Sequence, residues 1–185
     1  MKEDLKIEQI DFNKEELDEE YINCIFINCD FTQIKMGSTY FEDCSFVSCN
    51  FSLTKINNTN FHNVKFIECK LTGTDFSKSN PFSSFYFEKS NLQYSNLSGM
   101  KLKGTKFIQC DLQESNIENS NLTSSIFKEC NLLRTFFNKT NLEKSDLSTS
   151  YNFIIDPQQN NLKNAIFSKQ NLEGLLLAFG IKIID

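Results

Sequence analysis

An apolar residue recurs every five positions through most of this 185-residue chain. Leu or Phe ends triplets such as CDF at 29–31, CNF at 49–51, CDL at 110–112 and CNL at 130–132, each with a small residue first and a polar residue second. A period of five fits neither an amphipathic helix nor a half-buried strand, whose periods are about 3.6 and about 2. The chain must therefore turn once per repeat.

The repeats also show a second order, of 20 residues. If each group of five forms one side of a square coil, residues 20 apart should stack on neighbouring coils. Six phenylalanines fall in line in this way: Phe26, Phe46, Phe66, Phe87, Phe107 and Phe127. The small residues align as well: Cys29, Cys49, Cys69, Ser90, Cys110 and Cys130. We therefore predict a solenoid whose structural core contains these phenylalanines and cysteines.

The seven cysteines all occupy the small position of a repeat. No Cys-x-x-Cys pair exists, and His62 is the only histidine. This pattern gives no support to a zinc site, and it predicts free thiols packed as small apolar groups. We expect no cofactor and no metal.

The chain divides into three segments. Residues 1–23 carry nine acidic residues against three lysines, and Phe12, Leu17 and Tyr21 resemble degenerate repeat centres. We predict an acidic N-terminal cap here, which blunts the open edge of the first coil. Residues 24–155 form the predicted solenoid, and residues 156–185 form a C-terminal cap.

The repeat register slips by one residue near 77–82. Repeat centres end at Phe76 and, in this interpretation, resume at Phe82. Pro81 lies between them and cannot donate to an intercoil ladder. We expect a bulge or corner loop, either as a tolerated kink or as a protruding contact for a partner.

The C-terminal segment predicts a helix followed by a short strand. Residues 169–179 place apolar side chains on one helical face, with Ser168 as N-cap and Gly180 as stop. Residues 181–184 have the composition of a strand. The apolar face must be covered either by the last coil or by another copy of the chain.

The motif of a small residue, Asp or Asn, and then Leu or Phe resembles that of the pentapeptide-repeat family, over roughly residues 10 to 185. The resemblance implies a right-handed quadrilateral β-helix with four pentapeptides per coil. The expected fold class is therefore all-β, a pentapeptide-repeat solenoid with a short C-terminal helix and strand.

The C-terminal residues are similar to those of the gyrase-interacting branch of this family, which includes Qnr-type and microcin-immunity proteins. The matching residues are Ile155, Asp156, Pro157, Asn161, Leu162, Phe167, Ser168, Leu176, Gly180 and Ile181. The resemblance implies a homodimeric rod that mimics DNA and binds DNA gyrase or topoisomerase IV, with a role in quinolone resistance. The dimer would form through Leu172, Leu175, Leu176, Phe179, Ile181 and Ile183.

The charge distribution does not follow that expected for duplex DNA. Residues 24–155 carry 12 acidic and 13 basic side chains, so the coils are close to neutral. A neutral rod gains little electrostatic attraction to a basic DNA-binding surface. Shape would then have to carry most of the mimicry.

Aliphatic residues flank the column of phenylalanines at positions that should face outward. They are Ile25, Ile27, Val47, Ile67, Ile108 and Ile126. Branched residues suit strand surfaces, so β propensity explains some of them. A contiguous stripe would instead indicate a protein partner. The alternative function is therefore an interaction scaffold with no topoisomerase link.

Enzymatic activity is not expected. The sequence has no Gly-rich phosphate loop and no histidine pair, and its acidic residues stand singly on coil exteriors. It also shows no secretory signal and no long apolar run, so we expect a cytoplasmic protein without membrane contact or direct nucleic acid binding.

Overall fold

The computed structural model describes residues 1–184 and shows a solenoid of parallel strands with about six turns. The strands are β1 (Lys2–Glu3), β2 (Lys6–Glu8), β3 (Glu20–Ile22), β4 (Ile25–Ile27), β5 (Tyr40–Glu42), β6 (Ser45–Val47), β7 (Asn60–His62), β8 (Val64–Ile67), β9 (Phe85–Glu88), β10 (Lys106–Ile108) and β11 (Ile126–Lys128). They pair as a four-stranded sheet, β1-β3-β5-β7, and a seven-stranded sheet, β2-β4-β6-β8-β9-β10-β11. The all-β solenoid predicted from the sequence is confirmed.

Four faces, here called A to D in chain order, surround one apolar interior. The centres of face A begin at Phe26, those of face B at Phe31, those of face C at Met36 and those of face D at Phe41. Neighbouring coils pair in register at an offset of 20 residues, as in Phe26 with Phe46. Face A carries the seven-stranded sheet and face D the four-stranded sheet, while isolated bridges continue the ladders elsewhere.

The six aligned phenylalanines of face A are each at most 1 % exposed. Along the column, the centroids of successive rings lie 4.7 to 5.6 Å apart. The five cysteines predicted for the core are at most 2 % exposed. Burial of this much apolar surface, coil upon coil, is the main source of stability in the fold.

The Asp or Asn of most motifs closes the corner that follows it. The side chain of Asn91, for example, accepts a hydrogen bond from the backbone N–H of Gln93 at 2.9 Å. Asp30 and Asn96 act in the same way on Thr32 and Ser98. Short amide and carboxylate side chains suit this position because they can accept a bond from the backbone two residues ahead.

The small residue of many motifs joins neighbouring coils. The hydroxyl of Thr74 donates to the backbone carbonyl of Phe51 at 2.8 Å, and that of Ser120 donates to the carbonyl of Leu97 at 2.7 Å. The thiol of Cys49 points to the carbonyl of Phe26 at 3.5 Å. A larger side chain would crowd the interior, and Ala would lose the donor.

At the register slip, the structure corrects the prediction that Phe82 resumes the row of centres. Phe82 is 78 % exposed, whereas Phe85 is 7 % exposed and points inward. Asn80 begins a tight turn. Its side-chain oxygen Oδ1 accepts a hydrogen bond from the backbone N–H of Phe82 at 2.9 Å. The turn rotates Phe82 outward, and Val64 pairs with Phe85 across an offset of 21 residues.

The N-terminal acidic segment is folded as part of the ladders. Lys2 pairs with Tyr21, and Ile7 pairs with Phe26. Phe12 is 8 % exposed and stacks on Phe31 with ring centroids 4.5 Å apart. The segment predicted as a cap therefore has the structure of a first coil.

The C-terminal helix is a series of short helical turns. A 3₁₀ turn spans Lys169–Asn171, one turn of α-helix (α1) spans Glu173–Leu176, and a second 3₁₀ turn spans Leu177–Phe179. Gly180 ends the segment with φ +65°, as predicted. A further 3₁₀ turn, Phe76–Lys78, lies earlier, on face C.

One detail of the C-terminal prediction is wrong. Residues 181–184 form no strand, because they pair with no neighbouring coil and a strand needs such a partner. Ser168 is the N-cap residue of the first helical turn, as predicted, but its side chain makes no capping hydrogen bond. The first turn is a 3₁₀ turn rather than the start of a regular α-helix.

Candidate protein-binding surfaces

The C-terminal helical turns are fixed to the last coil by backbone and side-chain hydrogen bonds. The backbone N–H of Ile155 donates to the carbonyl of Gly174 at 2.9 Å. The side-chain amide of Asn171 donates to the carbonyl of Ser150 at 2.7 Å. Gly174 is buried, and a Cβ placed there would lie 2.1 Å from the carbonyl oxygen of Phe153. Only glycine allows this approach.

A cluster of exposed apolar side chains covers the outer side of these turns. Its members are Leu172, Leu176, Leu177, Phe179, Ile181, Ile183 and Ile184. This C-terminal apolar surface contains five of the six residues predicted for a dimer interface. Leu175, the sixth, is half-buried and packs against the chain's own core.

Sequence reasoning missed Leu177 and Ile184 in this surface. The prediction assumed one regular helix followed by a strand. The mixture of 3₁₀ and α turns rotates successive side chains by different angles, and residues 181–184 form no strand, so the alternation expected there does not apply. Further exposed apolar side chains lie on the last coils, and the sequence analysis did not select them either. They are Leu133, Phe136, Tyr151, Ile154 and Ile166.

The predicted aliphatic surface on face A is split into two columns. Ile27, Val47 and Ile67 pair in direct succession and form a contiguous half-buried row. Glu88 follows Ile67 in that column and separates the row from Ile108. The structure therefore brings three of the six residues together.

Ile25 and Ile126 belong to the second column, on the other side of the phenylalanines. Ile25 is 44 % exposed, and Ile126 is half-buried. Four residues of mixed polarity separate them: Ser45, Lys65, Tyr86 and Lys106. The hydroxyl of Tyr86 donates to Glu88 at 2.8 Å, and burial together with this contact raises the pKa of Tyr86 to about 12.

No uniform acidic row runs along face B. The outward column there places Asp30, Asn50, Lys70, Asn91 and Asp111 on successive coils, so acids, amides and a lysine alternate. Phosphates of a duplex repeat at every step with one sign. The coils of face B do not reproduce this pattern.

Face D is different, because its charges are separated along the rod. The coils before the register slip present Glu3, Asp4, Glu20, Glu42 and Asp43, with Lys2. The coils after the slip present Lys101, Lys103, Lys144 and Lys163, with Glu143. One half of the face is acidic and the other half is basic.

The exposed ring of Phe82 lies at the boundary between these halves. Beside it is an open hollow of about 280 Å³, whose lining includes Tyr40, Phe61, His62 and Phe82 itself. The Nζ of Lys101 lies 5.3 Å from the centroid of the Phe82 ring, within the range of a cation–π contact. The sequence signal for this feature was the slip itself.

The seven thiols are free and buried, inside the solenoid. Burial raises the pKa of the Cys44 thiol to about 12. A contact with Cys49, together with burial, raises the pKa of Cys29. In the part of the chain that the structure describes, no group of three or more His, Cys, Asp or Glu residues could hold a metal ion.

None of the helical turns within residues 1–184 is long and apolar enough to cross a bilayer.

Two sequence profiles of one family match the chain. The profile described as a pentapeptide repeat region matches residues 19–97, and the one described as pentapeptide repeats matches residues 110–148. Among curated proteins, no sequence matches the chain.

Several solved structures have a similar fold. Two trypsin-treated variants of QnrB1, a plasmid-mediated fluoroquinolone resistance protein, align over 98% and 97% of this chain and 99% of theirs. Their TM-scores are 0.66 and 0.67, and the sequence identity is 19% in both. At this identity the likeness is one of fold.

Proposed function

The chain belongs to the pentapeptide-repeat family, and from this we propose that it is a non-enzymatic rod that binds a type II topoisomerase. The target is DNA gyrase or topoisomerase IV. Binding modulates the enzyme or protects it from quinolone-type poisons. The repeat scaffold supplies a rigid surface, and no step of this function needs a cofactor.

The observation that carries this proposal is the end-to-end likeness to QnrB1. The two chains align over nearly their full lengths, so the likeness includes the C-terminal turns as well as the coils. QnrB1 is described as a fluoroquinolone resistance protein. In our proposal this chain places the same kind of rod in the DNA-binding channel of a topoisomerase.

The proposal includes a homodimer formed through the C-terminal apolar surface. Seven large apolar side chains that contact water in one small region favour burial against a partner. A second copy covers them if the two C-terminal segments meet about a two-fold axis. The same proposal divides the chain into a terminal acidic coil at 1–23, a solenoid at 24–155 and a C-terminal dimerisation segment at 156–185.

The net negative charge of the rod is concentrated at its N-terminal end. Residues 1–23 hold nine acidic residues against three lysines, while the coils that follow are almost neutral. Electrostatic steering toward a basic channel would therefore act at this end of each protomer, and shape would act along the rest.

A second candidate function is an interaction scaffold with no topoisomerase link. The row Ile27, Val47 and Ile67 favours it, because three aliphatic side chains on successive coils form a continuous apolar strip on face A. Such a strip suits an extended segment of another protein.

DNA supercoiling by gyrase and decatenation by topoisomerase IV test the first candidate. Each enzyme is titrated with the protein, with and without a fluoroquinolone. We expect inhibition or relief of drug-induced cleavage. The variant Leu176→Asp should lose the effect, because a charge in the C-terminal apolar surface disrupts the dimer.

Leu53→Asp is the matched control. Leu53 is 55 % exposed on face B, far along the chain from the C-terminal surface, so this variant should keep the effect. At high salt, where pairing between exposed charges is screened, light scattering should give a dimer for the parent chain and for Leu53→Asp, and a monomer for Leu176→Asp. No effect of the folded dimer on either enzyme would overturn the topoisomerase proposal and favour the scaffold.

A further inference from the structure

Face D carries a charge pattern that reverses sign about the corner at Phe82. Glu42 and Asp43 lie two coils before this corner in the face D ladder, and Lys101 and Lys103 lie one coil after it. The midpoint between these two charged groups falls between the His62 coil and the Phe82 coil. Charges of opposite sign are therefore placed symmetrically about one point on the face.

An aromatic projection and a hollow lie next to the same midpoint. Phe82 projects on the C-terminal side of the midpoint, with 78 % of its surface exposed. The hollow of about 280 Å³ extends from the coil of Tyr40 to the coil of Phe82, and Phe82 is one of its walls. A two-fold axis through the midpoint places Phe82 of one molecule over the part of the hollow beside His62 of the other.

We propose that face D is a self-complementary docking surface for a second copy of this chain, in antiparallel orientation. The two-fold axis is perpendicular to the rod. Phe82 of each copy enters the hollow beside Tyr40 and His62 of the other, and Lys101 and Lys103 lie against Glu42 and Asp43. Such an isologous contact uses one patch twice, which is the commonest arrangement in soluble dimers.

The spacing of the coils supports this pairing. Coils in a β ladder repeat about every 4.8 Å, so the acidic and basic groups each lie about 7 Å from the midpoint along the rod. The two sets of charges therefore meet at the same time as Phe82 meets the hollow. The third coil after the midpoint has only Asn121 and Thr123 outward on this face, opposite Glu20, so no like charges are brought together there.

This contact is separate from the C-terminal apolar surface and does not rest on the topoisomerase proposal. A dimer through the C-terminal surface still leaves face D open on each protomer. Use of both surfaces would assemble four chains. The test is therefore made in the Leu176→Asp background, where the C-terminal contact is removed.

A charge-swap experiment tests the proposal. One variant combines Glu42→Lys with Asp43→Lys, and a second combines Lys101→Glu with Lys103→Glu. Sedimentation at low salt, where screening is weakest, should show dimers of the background chain. Each charge variant alone should raise the dissociation constant at least tenfold, because like charges then face each other.

The equimolar mixture of the two charge variants should restore association, because every reversed side chain then faces an opposite charge. The variant that carries all four changes should also associate with itself. The matched control, Lys65→Glu with Lys106→Glu, changes the net charge equally but on face A. It should leave association unchanged.

Phe82→Ala provides a second, uncharged test. Its side chain is exposed, so the variant should fold like the parent chain, and circular dichroism checks this. We expect at least a tenfold weaker dimer for Phe82→Ala and no change for Leu53→Ala. A monomeric background chain at low salt, or a mixture that fails to restore association, would overturn the proposal.

Discussion

Phe85 packs against Phe61 with their ring centroids 5.5 Å apart, and this contact closes the interior of the coil at the register slip. The ring of Phe85 also lies 5.4 Å from that of Phe76. Phe85 stands in a column otherwise occupied by small residues such as Cys44 and Val64. Its ring fills the space that the outward rotation of Phe82 leaves behind.

Replacement of Phe85 by Ala should therefore destabilise the fold strongly. We expect the free energy of unfolding to fall by about 3 to 5 kcal/mol, as for other buried Phe to Ala changes. Phe82→Ala should change it by no more than about 0.5 kcal/mol, because Phe82 is exposed. Chemical denaturation of both variants measures the difference. Equal losses of unfolding free energy in the two variants would contradict the inference that Phe85 takes the buried position in place of Phe82.

Replacement of Gly174 by Ala should loosen the C-terminal turns from the last coil. The added Cβ would lie 2.1 Å from the carbonyl oxygen of Phe153, and backbone atoms cannot move aside cheaply. We expect the free energy that holds the C-terminal turns on the last coil to fall by about 1 to 3 kcal/mol. Faster hydrogen exchange at the N–H of Ile155, which donates to Gly174, reports it. Glu173→Ala, at the exposed residue next to Gly174, is the control.

Replacement of Asn91 by Ala should remove one corner bond. Asn91 accepts the N–H of Gln93 at 2.9 Å, and its loss should cost about 1 kcal/mol. Lys55 holds the same position on face C, where Lys has no acceptor to close the corner. Lys55→Ala should therefore be close to neutral. Thermal unfolding of the two variants compares them, and equal costs would argue against the corner bond.

The buried thiols should resist modification in the folded protein. Cys44 is fully buried, and burial raises its pKa to about 12. The thiolate that attacks a disulfide reagent is therefore scarce at pH 8. Ellman's reagent should react with all seven cysteines only after unfolding by guanidinium. Rapid reaction of the native protein would show that the interior opens.

The same shift predicts a loss of stability in alkaline solution. The Cys44 thiol ionises near pH 9 when the chain is unfolded and near pH 12 when it is folded. The folded state thus keeps its proton where the unfolded state has lost it, and stability falls as pH rises from about 9 to about 12. The decline should be smaller in Cys44→Ala. Midpoints of thermal unfolding, measured for the parent chain and for Cys44→Ala across this pH range, test the prediction.

The regular coils could be predicted from the sequence because each position in the repeat has one physical task. Phe46 had to be inside and Asn50 at a corner for every coil to stack on the next. The exchange of Phe82 and Phe85 could not be predicted in this way. Spacing places either phenylalanine inside, and only the tight turn at Asn80 decides between them.

The candidate surfaces were less accessible to sequence reasoning. Leu175 and Leu176 are equally apolar. Which of the two side chains faces the core depends on how the short helical turns pack on the last coil. Ile67 and Ile108 are both aliphatic and flank the phenylalanine column, but Glu88, next to Phe87 in that column, lies between them and interrupts the stripe. The separation of charge on face D depends on how the ladder continues across the register slip, which the structure supplies.

The first coil affects whether two rods can pair edge to edge at their N-terminal ends. Its strands β1 and β2 pair with β3 and β4 and are the end members of their sheets in the described chain. In other proteins, exposed edge strands of this kind can pair with strands of a second molecule and start fibre formation. Here the end is lined with carboxylates, so two such ends repel each other, while the helical turns cover the opposite end. Charge therefore opposes edge-to-edge pairing of two rods at their first coils, and the two ends of one rod differ in the groups that they present.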